Sequence, residues 1–92
     1  MPSGQVLQIL EVLRRTKETG RLEDTSDLDL EYLASLGVDA TSSDVTLDRD
    51  LRFALAIEAV NKGAQITSAV EQMTWKDFEG FIPWMSKLPL LR

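Results

Sequence analysis

Between its glycine and proline stops, this chain repeats apolar residues three and four apart and almost never alternates them. That spacing puts the apolar side chains on one face of a helix, so the core has to be assembled from short helices meeting along those faces. Val6, Ile9, Leu10 and Leu13 share a face of a first helix predicted from Gly4 or Gln5 to Thr19. Ser3 is its expected cap, and Gly20 the expected left-handed residue past its end. A second helix is predicted over Leu28–Leu36, capped by Ser26 or Asp27, with Leu28 or Leu30, Leu33 and Leu36 inward. Gly37 stops it, and Val38 is expected to tuck inward from the loop that follows.

"TLDRDLRFALAIEAVNKG" carries the strongest helical signal. Thr46 is the expected cap, Asp48 and Asp50 fall in the first turn, and Asn61–Gly63 supply the stop. Leu47, Leu51, Ala54, Leu55 and Ala59 occupy one broad face, and Phe53, Ile57 and Val60 the next. A helix apolar around so much of its girth is normally central in a bundle. A short fourth helix runs through Ile66, Ala69, Val70 and Met73. Thr74 then caps a fifth, whose apolar positions are Trp75, Phe78, Ile82 and Met85. Pro83 is expected to stop or kink it at Ile82, because an interior proline costs about 3 kcal/mol or more. Leu88, Leu90 and Leu91 of the tail are expected to dock on the bundle. "DVTL" is the one short strand candidate. The expected fold is all-α, a compact bundle of four to five helices with a helix-turn-helix-like middle.

Composition narrows the chemistry. With no cysteine and no histidine, disulfides, thiolate or histidine catalysis and the usual zinc sites are excluded. No serine or threonine has a base partner in a nucleophile motif, and no glycine loop is built to cradle phosphate. "DLDLE" and "DRD" crowd carboxylates without the ligand spacing of a calcium loop, so neither a metal nor a cofactor is expected. The expectation is a non-enzyme. No apolar run is long enough to cross a bilayer, and "MPSGQVLQ" lacks the charged start of a signal peptide. A soluble cytoplasmic protein with no membrane partner is expected.

Net charge is −5, and it is unevenly spread. Arg14, Arg15, Lys17 and Arg21 make the first quarter basic, whereas residues 23–50 carry nine carboxylates against Arg49. An acidic middle repels phosphate backbones. The stretch from Leu28 to Leu55 has the outline of a helix-turn-helix, with Arg49 and Arg52 on its reading helix and Arg14, Arg15, Lys17 and Arg21 as further DNA contacts. An ordinary helical hairpin explains the same pattern, and Asp44, Asp48 and Asp50 oppose a duplex at that position.

"MTWKDFEGFIPWM" concentrates both tryptophans and two of the three phenylalanines. Interior packing of Trp75 and Phe78 on one face, with Phe81 beside them, is one reading. The other leaves Phe81 and Trp84 exposed beside the proline, as part of a partner-binding or self-association surface with Trp75 and Phe78.

Residues 51–82, "LRFALAIEAVNKGAQITSAVEQMTWKDFEGFI", resemble the junction in archaeal restriction-endonuclease-like proteins related to the Mrr family. There an N-terminal helical region meets a nuclease domain that opens with a Trp-x-x-Phe-Glu helix. Trp75, Phe78 and Glu79 match that signature. The resemblance implies that Glu79 would lie near a metal-dependent cleavage site. It also implies catalytic strands carrying Asp and then Glu-x-Lys or Gln-x-Lys, and no such tripeptide occurs in these 92 residues. What the resemblance implies is therefore an accessory region without the nuclease site. Residues 1–92 are read as one helical domain, with 1–73 as the helical accessory part and 74–92 as the aromatic C-terminal helix and tail.

Overall fold

Gly20, Gly37 and Gly63 all take positive φ, and each follows within four residues of the end of a helix. The computed structural model describes residues 4–40 and 45–86. Within them lie α1 (Gly4–Thr16), α2 (Leu30–Ser35), α3 (Arg49–Asn61), α4 (Ile66–Val70) and α5 (Trp75–Met85). The fold is all-α. The expected Ser3 cap, Asp44 and the leucine tail lie outside the described residues.

α3 is the central helix, packed against α1, α4 and α5. It buries Phe53, Leu55, Ala56, Ala59 and Val60, whereas Ala54, expected on the inner face, is exposed. α1 contributes Val6, Ile9, Val12 and Leu13, α2 Leu33, α4 Ala69 and α5 Phe81. Leu22, Val38, Val45 and Leu47 join the same cluster from the connections, so Val38 does tuck inward. The radius of gyration of 12.4 Å matches the value of about 12 Å for a packed chain of this length.

Several boundaries differ from the sequence reading, each for a local reason. α1 closes at Thr16 rather than Thr19; the buried Thr16 hydroxyl turns back onto the Val12 carbonyl at 2.9 Å. α2 begins two residues late because Asp29 is the cap, not Ser26 or Asp27. Its carboxylate accepts the Tyr32 amide (3.1 Å), while its own amide donates to Gln8 Oε1 on α1 (2.7 Å). α3 is capped by Asp48, whose carboxylate accepts the Leu51 amide at 2.8 Å. Thr46 does not serve there because it pairs with Arg21 in an isolated antiparallel bridge, flanked by Leu22 N to Val45 O (2.8 Å) and Leu47 N to Gly20 O (2.7 Å). Val45–Leu47 of the "DVTL" segment thus lie alongside residues 20–22 without forming a strand. Gly20 sits at that crossing with φ 73°, and a Cβ there would meet Arg52 Nη1 at 3.2 Å and the Leu47 carbonyl at 3.3 Å.

α5 departs from one of the two outcomes expected at Pro83, the stop. The helix runs through the proline to Met85 instead of stopping at Ile82. Pro83 lies in the last turn, so only one ladder bond is forfeited, that to the Glu79 carbonyl. Both Pro83 and Glu79 are exposed, which lets water serve that oxygen.

Candidate functional site

α5 opens as the sequence reading anticipated, with Thr74 Oγ1 accepting the Asp77 amide at 3.2 Å. Its side chains then divide into two stripes. At about 100° per residue, Asp77, Gly80, Phe81 and Trp84 fall on one side. Trp75, Phe78, Ile82 and Met85 fall on the neighbouring side.

The first stripe meets α3. Phe81 is fully buried, with its ring 5.2 Å from that of Phe53, and Trp84 is half-buried at 5.6 Å from the same ring, edge on. Aromatic pairs at these separations prefer such tilted geometries. Gly80 permits the approach: a Cβ there would come within 3.0 Å of Arg49 Nη1 and 3.5 Å of Phe53 Cζ. Beside this cluster Arg52 donates to Asp77 Oδ2 at 2.8 Å and also to the Leu47 carbonyl. Both members of that ion pair are only 16% exposed, so it joins α3 to α5 where solvent screens it weakly.

The second stripe faces away. Trp75 is 74% exposed and Ile82 53%, while Phe78 and Met85 are half-buried. The Trp75 ring stands 5.8 Å from that of Phe78. Between α4 and α5 lies a groove of about 380 Å³, lined by Ile66, Thr67, Val70, Glu71, Phe78 and Met85. Exposed indole, exposed isoleucine and apolar groove make one continuous surface along α5.

The aromatic expectations are therefore rearranged. Trp75 is not interior, and Phe81 is the core residue rather than part of an exposed patch. The sequence leaves Trp75 and Phe78 open between core and partner surface, because the spacing of Trp75, Phe78, Ile82 and Met85 is as regular as that of the true inner stripe. Gly80 carried the missing signal: a mid-helix glycine costs up to about 1 kcal/mol and is tolerated where another element comes close. Ile66 and Val70, which line the groove from α4, carry no signal in the sequence beyond helical apolar spacing.

The basic residues are mostly engaged. Arg15 pairs with Glu11 (2.7 Å) and Asp27 (2.6 Å) and donates to the Asp24 carbonyl (2.7 Å). Arg14 pairs with the same Glu11, and Lys17 Nζ donates to the Glu71 carbonyl at 3.1 Å. The two guanidiniums, Arg14 first, pull the Glu11 carboxyl down to about 2, and hydrogen bonding from Arg15 also lowers Asp27. Arg49 lies 5.6 Å over the Phe53 ring, and Arg52 is held by Asp77. Arg15 and Arg21 share a notch with Thr19, Glu23 and Asp24, a mixed rather than a cationic lining. The path from α2 to α3 covers residues 36–48, far longer than the 3–4-residue turn of a helix-turn-helix. Glu79 is exposed on α5, and among the described residues no group of three carboxylates is arranged to hold a metal ion. No helix among them is long and apolar enough to cross a membrane.

Compared with family models, curated proteins and solved structures, the chain matches none of them.

Proposed function

We propose that this chain is a non-catalytic helical interaction module and that its working surface is the outer stripe of α5 with the groove beside α4. The observation that carries this reading is Trp75: a three-quarters exposed indole on a helix whose other aromatic side chains are packed inward or half-covered. A single exposed apolar residue is ordinary, but here Trp75, Ile82 and the groove are continuous, and surfaces of that kind favour partner binding. Tryptophan is also the residue type that most often dominates binding energy when a partner covers it. α5 is rigidly mounted for the task, since Phe81, Trp84 and Asp77 fasten its other side to α3.

The test is a photo-crosslinking side chain installed in place of Trp75 and, as a control, in place of the exposed Glu31 on α2. Irradiation in the native host is expected to give discrete protein adducts from position 75 and none from position 31. Absence of adducts at 75 would sink the reading.

A DNA-associated accessory role, as the likeness to Mrr-related proteins implies, is the second reading. It draws on Arg14 and Arg21, both exposed, and on the notch that Arg15 and Arg21 share. It ranks lower because Arg15 and Arg52 already hold internal carboxylates. It requires duplex binding at low salt that weakens in the Arg14→Ala, Arg21→Ala double variant.

A further inference from the structure

The outer stripe of α5 is flanked on one side by Lys76 and Glu79, which are exposed and form no ion pair among the described residues. Elsewhere the chain closes such local pairs: Glu11 with Arg14, three residues apart, and Glu58 with Lys62, four apart. Along the stripe, the two most exposed apolar side chains of the helix, Trp75 and Ile82, are two turns apart, or about 10 Å at 1.5 Å per residue.

These spacings are self-complementary. When two antiparallel helices are related by a two-fold axis between them, each flank faces its own counterpart. With the axis beside Phe78, midway between Trp75 and Ile82, each Trp75 lies over the Ile82 of the other copy. Lys76 of each copy then falls within about 3 Å, measured along the axis, of the level of the other copy's Glu79. A lysine stem spans that offset easily. The same operation brings two apolar pairs and two opposite-charge pairs together at once, and it requires nothing that this sequence lacks.

We infer that the occupant of this surface is a second copy of the chain, docked α5 against α5 in antiparallel orientation. The inference rests on the interaction-module reading and names its partner. An eleven-residue helix is about 16 Å long, so one face of it covers less than the roughly 800 Å² per partner of a standard interface. The dimer is therefore weak and concentration-dependent, and its register is set by the charged flank rather than by area.

The experiment is sedimentation of the full chain over a range of concentrations, with Lys76→Glu and Glu79→Lys made separately. Both residues are exposed, so folding is preserved, and circular dichroism checks it. The parent chain is expected to shift from monomer to dimer as concentration rises, and Trp75→Glu to remain monomeric. Each charge reversal sets like charges in register and weakens the dimer about tenfold. Mixing the two reversed chains restores opposite charges at both pairs, so the mixture associates at least tenfold more tightly than either variant alone. A parent chain that stays monomeric up to about 1 mM overturns the inference, and so does a mixture no tighter than its components. Crosslinking from position 75 separates this failure from that of the underlying reading. Adducts of twice the chain mass support the dimer, adducts to a different protein leave the module standing without it, and no adducts remove both.

Discussion

Single side chains decide where this structure is tight and where it is loose, and Glu11 is the clearest case open to measurement. It receives Arg14 and Arg15 together, and its folded-state pKa falls from 4.5 to about 2. A carboxyl with a lowered folded-state pKa contributes stability that is fully present above its unfolded value. That contribution is lost as pH falls through the folded value. For Glu11 the window runs from about 4.5 down to about 2. The site is on the surface, so solvent screening limits the effect to about 1 kcal/mol. Urea unfolding at pH 6 and pH 3 is expected to give a drop in stability that is smaller in Glu11→Gln by roughly half of that amount, since pH 3 lies inside the window. An undiminished pH dependence in the variant would mean that the paired guanidiniums contribute nothing to folding. Asp27 is lowered in the same direction, by hydrogen bonding from Arg15.

At the level of the helices, Pro83 separates two ways of ending α5. Removing the ring in Pro83→Ala returns an amide to the Glu79 carbonyl within a helix that already extends to Met85. The gain is expected to be about 1 kcal/mol, below the roughly 3 kcal/mol of a central proline, because the position is terminal and the unfolded chain becomes freer. Thermal melts should rise with the 222 nm signal of the folded state unchanged. A marked increase in that signal would mean that the proline had been ending the helix. Much at this scale was legible beforehand. The five helices, the central role of α3, the Thr74 cap and the three glycine stops follow from spacing and backbone sterics alone. Other features depend on distant residues. Ser26, Asp27 and Asp29 are all competent caps, and Gln8 across the α1–α2 contact holds the one that is used. Thr46 is lost as a cap to Arg21, 25 residues earlier. In α5 two apolar stripes of equal regularity compete, and only packing of Gly80 onto Phe53 and Arg49 sends Phe81 inward and Trp75 outward. The candidate surface was thus visible as an aromatic surplus, but its orientation was not.

Considered whole, the molecule is an anion with most of its cations already engaged. Fifteen carboxylates stand against ten basic side chains, and nine of them fall in residues 23–50, the stretch that leads into the would-be reading helix. Each phosphate contacted by a free cation contributes about 0.9 to the slope of log binding constant against log salt. If Arg14, Arg15, Lys17, Arg21, Arg49 and Arg52 all gripped a duplex, that slope would approach 5. To do so, Arg15 would have to leave Glu11 and Asp27, and Arg52 would have to leave Asp77, where each is partly sheltered from solvent. Freeing Arg52 leaves Asp77 charged and poorly hydrated between α3 and α5, so DNA binding by that route would loosen the mounting of the aromatic helix. The expectation is consequently a slope of magnitude below about 2 and negligible binding near 150 mM salt. Fluorescence anisotropy of a labelled duplex across salt concentrations measures it directly. A slope near 5, reduced in steps as Arg15 and Arg52 are replaced by alanine, would make the internal ion pairs a store of DNA contacts. The accessory DNA reading would then displace the α5 surface as the principal function.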